Sequence, residues 1–168
     1  GSMSASGSGG WSVTSNGAVY PFGGAGNYGG ASSWNLNRPI INMATSSTGN
    51  GYWLVASDGG IFTFGDAVFH GSAASWKLNQ PIVGMAPTAS GNGYWLFASD
   101  GGIFTFGDAA FHGSTASWKL NQPIIGMRAT PTGGGYWLFS ADGGVYSFGD
   151  APYLGSGTGF GYYYPRAG

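Results

Sequence analysis

Short apolar segments, each ended by Gly, Asp, Asn or Pro, follow one another along the chain. In a representative unit, Asp100 and Gly101 indicate a tight hairpin turn, because both residue types tolerate the backbone geometry of two-residue turns. Helical periodicity is absent, and β-branched and aromatic residues fill the apolar segments. The pattern predicts four short strands per unit, here over 81–87, 93–99, 102–106 and 110–113. A connector over 114–122 then leads to the next unit.

The second strand of this unit carries large apolar residues on both faces. Tyr94 and Leu96 should point to one side, and Trp95 and Phe97 to the other, since side chains alternate along a strand. A sheet with one face in water would alternate apolar and polar residues more cleanly. We therefore expect each sheet to be covered by a neighbour on both faces.

The units repeat with a step of 42 residues. Tyr52-Trp53-Leu54 recurs at residues 94 and 136, and 33 of 42 positions are identical between 52–93 and 94–135. The first copy is looser. We interpret residues 1–9 as a cloning scar and flexible lead-in, and residues 10–168 as one domain. The repeats of this domain cover about 10–51, 52–93, 94–135 and 136–168.

A four-stranded unit of this length is typical of a β-propeller blade. The sequence therefore predicts an all-β propeller of four four-stranded blades. The first copy appears without an opening strand, so we expect the tail over 162–165 to pair with the strand that contains Trp11 and close the ring. Two alternatives remain open, namely two chains that form an eight-bladed ring and a β-solenoid.

Composition narrows the possible functions. Gly supplies 35 of the 168 residues, aromatic residues 17% and charged residues only 7%, which is unlike a disordered chain. Five basic residues and a net charge of −1 offer little to nucleic acid. Cys is absent, so disulfides and thiolate sites are excluded. The chain has no apolar run of about 18 residues, and we expect no membrane insertion.

Ionisable side chains suggest no catalytic centre. All six acidic residues are Asp, each beside a Gly at a predicted turn, where Asp side chains commonly bond local backbone amides. Calcium needs about 6–8 oxygen ligands, more than isolated Asp residues provide. His70 and His112 lie in separate units and cannot complete a zinc site. We predict no catalytic residue, no metal and no cofactor, and hence no enzyme.

The connectors carry a second set of aromatic residues. In the two middle units the connector reads Trp-Lys-Leu-Asn, and the first unit has Asn35 in place of Lys. An aromatic ring beside fixed amide groups suits a sugar ring, although such Trp residues could also wedge between units. The predicted ligand-binding residues are Trp34, Asn37, Trp76, Lys77, Asn79, Trp118, Lys119 and Asn121.

The run from Gly51 to Ala67 also carries a family resemblance. It reads Gly-Tyr-Trp-Leu-Val-Ala-Ser-Asp-Gly-Gly-Ile-Phe-Thr-Phe-Gly-Asp-Ala and resembles tandem repeats of predicted secreted or surface bacterial proteins. The resemblance covers about residues 10–156, and the first copy departs from it at Asn16 and Gly24. It implies an extracellular or cell-surface array, sometimes attached to wall-acting enzymes, and supplies no catalytic residues.

Two functions are compatible with these features. One is a non-catalytic, lectin-like module in which repeated weak sites bind neutral sugars of a cell-wall or surface polysaccharide with avidity. The other is a structural or protein-interaction repeat without a small-molecule ligand. Either would be a monomer or a homodimer. Fold alone does not distinguish them.

Overall fold

The computed structural model describes residues 2–3, 9–153 and 155. This part of the chain consists of β-strands joined by turns and loops. Its strands are β1 (Ser2–Met3), β2 (Gly9–Val13), β3 (Val19–Gly23), β4 (Ile40–Thr45), β5 (Gly51–Ala56), β6 (Ile61–Gly65), β7 (Ile82–Pro87), β8 (Gly93–Ala98), β9 (Ile103–Gly107), β10 (Ile124–Ala129), β11 (Gly135–Ser140) and β12 (Val145–Gly149). Among these residues we find no helix that could span a membrane.

The strands form four separate antiparallel sheets of three strands each, which confirms the all-β class. We number them in chain order: sheet 1 contains β1–β3, sheet 2 β4–β6, sheet 3 β7–β9 and sheet 4 β10–β12. In each sheet the second strand lies in the centre. In sheet 3, for example, Leu96 of the central strand pairs with Met85 on one side and Phe104 on the other.

The hydrophobic core lies between consecutive sheets. All six residues of β5 and all six of β8 are buried, so these strands are covered on both faces, as predicted. Tyr94 and Leu96 pack in a cluster with Trp53 of sheet 2, whereas Trp95 and Phe97 pack toward sheet 4. The 42-residue repeat therefore builds a series of layers in which each interface is supplied by two successive units.

Each interface contains the same aromatic contact. The Trp53 ring meets the Tyr94 ring edge-on, with centroids 5.9 Å apart, and Trp95 meets Tyr136 in the same way at 5.8 Å. The Trp95 indole also donates a hydrogen bond to the carbonyl of Ala110, at 2.7 Å. Burial of the polar Trp nitrogen is thus compensated by a backbone acceptor.

The predicted fourth strand of each unit is wrong. The segment over 110–113 has no ladder partner in the described structure, because side chains satisfy its backbone groups instead. The Tyr136 hydroxyl, from the next sheet, accepts from the amide of His112 at 2.9 Å and donates to the carbonyl of Gly113 at 2.6 Å. Gly113 has a φ of +129°, which no extended strand would adopt.

The predicted ring of four-stranded blades is therefore also wrong. The described residues form four three-stranded sheets without closure into a barrel or ring. The eight-bladed alternative fails with it, since it uses the same blades, and the antiparallel pairing excludes the β-solenoid. On the side of β2 opposite β3, Ser2 and Met3 pair with Trp11 and Gly10. The tail over 162–165, which was predicted to pair there, lies outside the described residues.

Candidate functional site

The connector residues Trp34, Trp76 and Trp118 lie in the loops that join one sheet to the next. Each follows a turn in which its amide donates to a carbonyl three residues earlier, as from Trp76 to Ala73 at 2.9 Å. The residue that accepts is fully buried in all three connectors, so the turn is anchored in the core: these residues are Ala31, Ala73 and Thr115. The local sequence thus holds each indole ring at the surface on a buried support.

Each connector ring packs on the third strand of the following sheet. Trp76 stacks on Phe106 with centroids 5.5 Å apart and an interplanar angle of 20°, and Trp34 stacks on Phe64 at 5.6 Å and 21°. Trp118 meets Phe148 at 5.9 Å with a wider angle of 38°. The three Trp side chains nevertheless remain 49–51% exposed. Each ring therefore contacts the next sheet and also faces solvent.

Three surface pockets repeat with the 42-residue step. Each is bordered by a connector Trp, the Leu and Asn that follow it, the next Pro and the polar hairpin turn of a neighbouring strand pair. We call them the first, second and third pocket, with cavity volumes of about 300, 480 and 300 Å³. Their defining Trp and Asn residues are Trp34 and Asn37, Trp76 and Asn79, and Trp118 and Asn121.

Backbone hydrogen bonds hold the base of each pocket. In the second pocket the amide of Ser57 donates to the carbonyl of Pro39 at 3.0 Å, and the Ser57 carbonyl accepts from the amide of Ile82 at 2.9 Å. The turn is therefore bonded to the start of the first strand of its own sheet and to the first strand of the next sheet. Such a pocket is formed before any ligand arrives, which lowers the entropic cost of binding.

The hairpin turns contribute residues that the sequence placed only in a structural role. Asp58 and Asp100 accept from the amides of Gly60 and Gly102 at 3.0 and 2.9 Å, which confirms that they stabilise the turns. They also border the second and third pockets. Asn16 holds the corresponding position in the first pocket. The 42-residue register could have suggested this, since every connector is preceded by such a turn.

The structure separates the predicted ligand-binding residues into two groups. Six of them border the pockets, and these are the three Trp and the three Asn residues. Lys77 and Lys119 are exposed but are not among the lining residues. Instead, Arg38 borders both the first and the second pocket, and Gln80 and Gln122 occupy its position in the later units. The sequence prediction missed Arg38.

A second set of polar side chains lies at the other end of the strands. Thr88 and Ser90 donate to the two carboxylate oxygens of Asp108, at 2.7 and 2.5 Å. The hydrogen bonds from Ser90 and Thr88 hold the pKa of Asp108 below its usual value, and a positive charge on His70 would act in the same direction. The same hydroxyl pairs bond Asp66, from Ser46 and Thr48, and Asp150, from Thr130 and Thr132.

The histidines take part in this second set without forming a metal site. The His70 ring nitrogen Nε2 lies 3.0 Å from the carbonyl oxygen of Gly91, and His112 has the same relation to Gly133. Across residues 2–3, 9–153 and 155, no three His, Cys, Asp or Glu side chains cluster as metal ligands. These side chains cross-link loops of adjacent sheets.

Comparison with known proteins does not assign the chain to a family. No protein-family model matches the chain, and no curated protein matches it. The extracellular repeat family suggested by the Gly51–Ala67 run therefore stays a prediction.

Proposed function

We propose that the chain is a non-catalytic, multivalent carbohydrate-binding module at the cell surface. In this proposal the second and third pockets bind neutral sugar rings of a cell-wall or surface polysaccharide. Trp76 and Trp118 offer the exposed part of an indole to the apolar face of a sugar, and Asn79 and Asn121 offer amide donors and acceptors to its hydroxyl groups.

The observation that carries the proposal is the repetition of an incompletely buried Trp in a pocket. A Trp that served only to join two sheets would gain stability from complete burial, as Trp53 and Trp95 do at 1% exposure. The connector Trp residues keep about half of their surface in water, each beside an Asn. Three similar sites in one chain would raise the avidity for a repeating polymer.

The competing function, a structural or protein-interaction repeat, is favoured by a different observation. Trp76 and Phe106 stack closely, and this contact joins sheet 2 to sheet 3 whether or not a ligand binds. The two functions differ in what the exposed half of the ring contributes. Only a sugar platform loses ligand binding when the ring is removed.

A panel of neutral wall-derived oligosaccharides, followed by titration calorimetry on those that bind, tests the proposal. Trp118→Ala should weaken binding at least about tenfold at its pocket, as truncation of a central aromatic contact does. Lys119→Ala, one residue along the connector and outside the pocket lining, is the matched control and should bind normally. Absence of saturable binding across the panel, with the wild-type chain folded, would leave the structural repeat as the better reading.

A further inference from the structure

The three pockets share one design but differ in charge. The first pocket is bordered by Arg38 and by Asn16, so its lining carries one positive charge. The second is bordered by Arg38 and Asp58, whose charges offset one another. The third has Asp100 and, at the two positions equivalent to Arg38, Gln80 and Gln122, so its lining carries one negative charge.

We infer that the first pocket binds a sugar that carries a carboxylate, such as a uronic acid, while the third pocket accepts neutral sugars only. The inference rests on the proposed function and names a ligand class for one of its sites. A glycan that engaged several pockets would then combine acidic and neutral residues in a defined direction along the chain.

Arg38 is suited to this role by its side-chain chemistry and its neighbours. An arginine guanidinium group can donate two parallel hydrogen bonds to a carboxylate. Arg38 is exposed at the pocket edge, beside the exposed Trp34 and Asn37. A uronic acid stacked on the Trp34 ring would therefore have both an apolar platform and a cationic partner.

The replacement of Asp by Asn in the first pocket points the same way. Asp58 and Asp100 would repel a sugar carboxylate, and hydrogen bonds to their turn amides keep them directed to the same place in each unit. Asn16 is neutral, and its side-chain oxygen still bonds the turn, at 3.3 Å from the amide of Ala18. The turn that borders the first pocket thus keeps its geometry without a negative charge, and Asp58 lies in the adjoining pocket on the other side, which it lines with Trp34 and Arg38.

Two forms of one oligosaccharide test the inference: a galacturonate tetramer and the same tetramer with its carboxylates methyl-esterified. The indole N–H resonances of Trp34 and Trp118, assigned from single Trp variants, report each pocket separately during NMR titration. Trp34 should respond to the acid about 2–5-fold more tightly than to the ester, the range of an exposed ion pair. Trp118 should respond to the ester and weakly or not at all to the acid.

The repeat itself supplies matched variants. Arg38→Gln introduces the residue found at positions 80 and 122 and should remove the acid preference at Trp34 without loss of thermal stability. Asn16→Asp introduces the residue of the other turns and should reduce that preference as well. Gln122→Arg combined with Asp100→Asn should transfer the preference to Trp118. Salt at 0.5 M should abolish the preference at either pocket, because exposed charges are screened.

The results distinguish a failure of the acid preference at the first pocket from a failure of sugar binding as a whole. If both tetramer forms shift Trp34 equally, or if the preference survives Arg38→Gln, the charge-reading role is wrong while sugar binding stands. If neutral oligosaccharides fail to shift Trp76 or Trp118 and neither tetramer form shifts Trp34, the proposed function fails and the inference fails with it. A preference that follows Arg from position 38 to position 122 would support both.

Discussion

The hydroxyl oxygen of Tyr94 lies 2.5 Å from the carbonyl oxygen of Gly71, which belongs to the preceding repeat. The same hydroxyl accepts from the amide of His70 at 3.0 Å. One buried side chain thus satisfies two backbone groups that a fourth strand would otherwise have paired. Burial raises the pKa of this Tyr hydroxyl, and the two backbone hydrogen bonds partly offset that effect.

Loss of that hydroxyl should be costly although the ring remains. Tyr94→Phe leaves the amide of His70 and the carbonyl of Gly71 without their partner, and we expect a loss of about 1–3 kcal/mol in the free energy of unfolding. Urea denaturation measures this change. Tyr20→Phe is the control, because Tyr20 is 57% exposed, and it should change stability by less than about 0.5 kcal/mol. Equal effects of the two variants would contradict the role of the hydroxyl.

Two glycines with similar backbone angles should respond very differently to substitution by Ala. Gly107 has a φ of +65°, and a Cβ there would lie 2.1 Å from the carbonyl oxygen of Asn92. Gly91 has a φ of +77°, with nothing within 4 Å of its Cβ position. We expect Gly91→Ala to cost about 1–2 kcal/mol from backbone strain alone. Gly107→Ala should cost several kcal/mol more, or prevent folding, as thermal melts would show.

The two classes of Trp should differ in their contribution to stability. Trp95→Ala removes a ring that is 1% exposed and leaves a cavity between two sheets, for which we expect about 3–5 kcal/mol. Trp76→Ala removes a ring that is 49% exposed and packs against Phe104 and Phe106, for which we expect a loss of about 1–2 kcal/mol. Chemical denaturation of both variants tests the order. A larger loss from Trp76→Ala would make that residue a wedge rather than a platform.

Stability should fall at acid pH through the hydroxyl-bonded Asp residues. Ser90 and Thr88 hold the pKa of Asp108 below its ordinary value of 3.8, so the charged form is favoured in the folded chain. The stabilisation is then complete above that ordinary value and is lost as the pH falls through the lower, folded-state pKa. The urea midpoint between pH 7 and pH 2.5 measures it.

Variants at this site provide the control for the acid prediction. Asp108→Asn should flatten part of the acid-side decline, because Asn does not titrate. Ser90→Ala should bring the pKa of Asp108 back toward its ordinary value, which NMR titration of the carboxyl carbon can follow. An unchanged pKa in Ser90→Ala would show that the hydroxyl bond has no such effect.

The elements that depend on local chemistry could be predicted from the amino-acid sequence. The sequence predicted the 42-residue step, the Asp-Gly turns and the three strands that each unit contains. It also predicted that the strand with Tyr94 and Trp95 is apolar on both faces. These features follow from side-chain alternation and turn preferences, which act over a few residues. The exposed position of the connector Trp residues could also be predicted from the sequence, because connectors run over the surface.

The contacts of backbone groups and charges between units became visible only in the three-dimensional structure. The segment over 110–113 contains apolar residues, as a strand would. Its backbone groups nevertheless form hydrogen bonds with the Tyr136 hydroxyl of the next sheet, and the local sequence gives no sign of this contact. The stacking of three consecutive sheets likewise places Arg38 at the edge of two pockets. Such contacts join residues of different repeats, so they depend on how the layers pack.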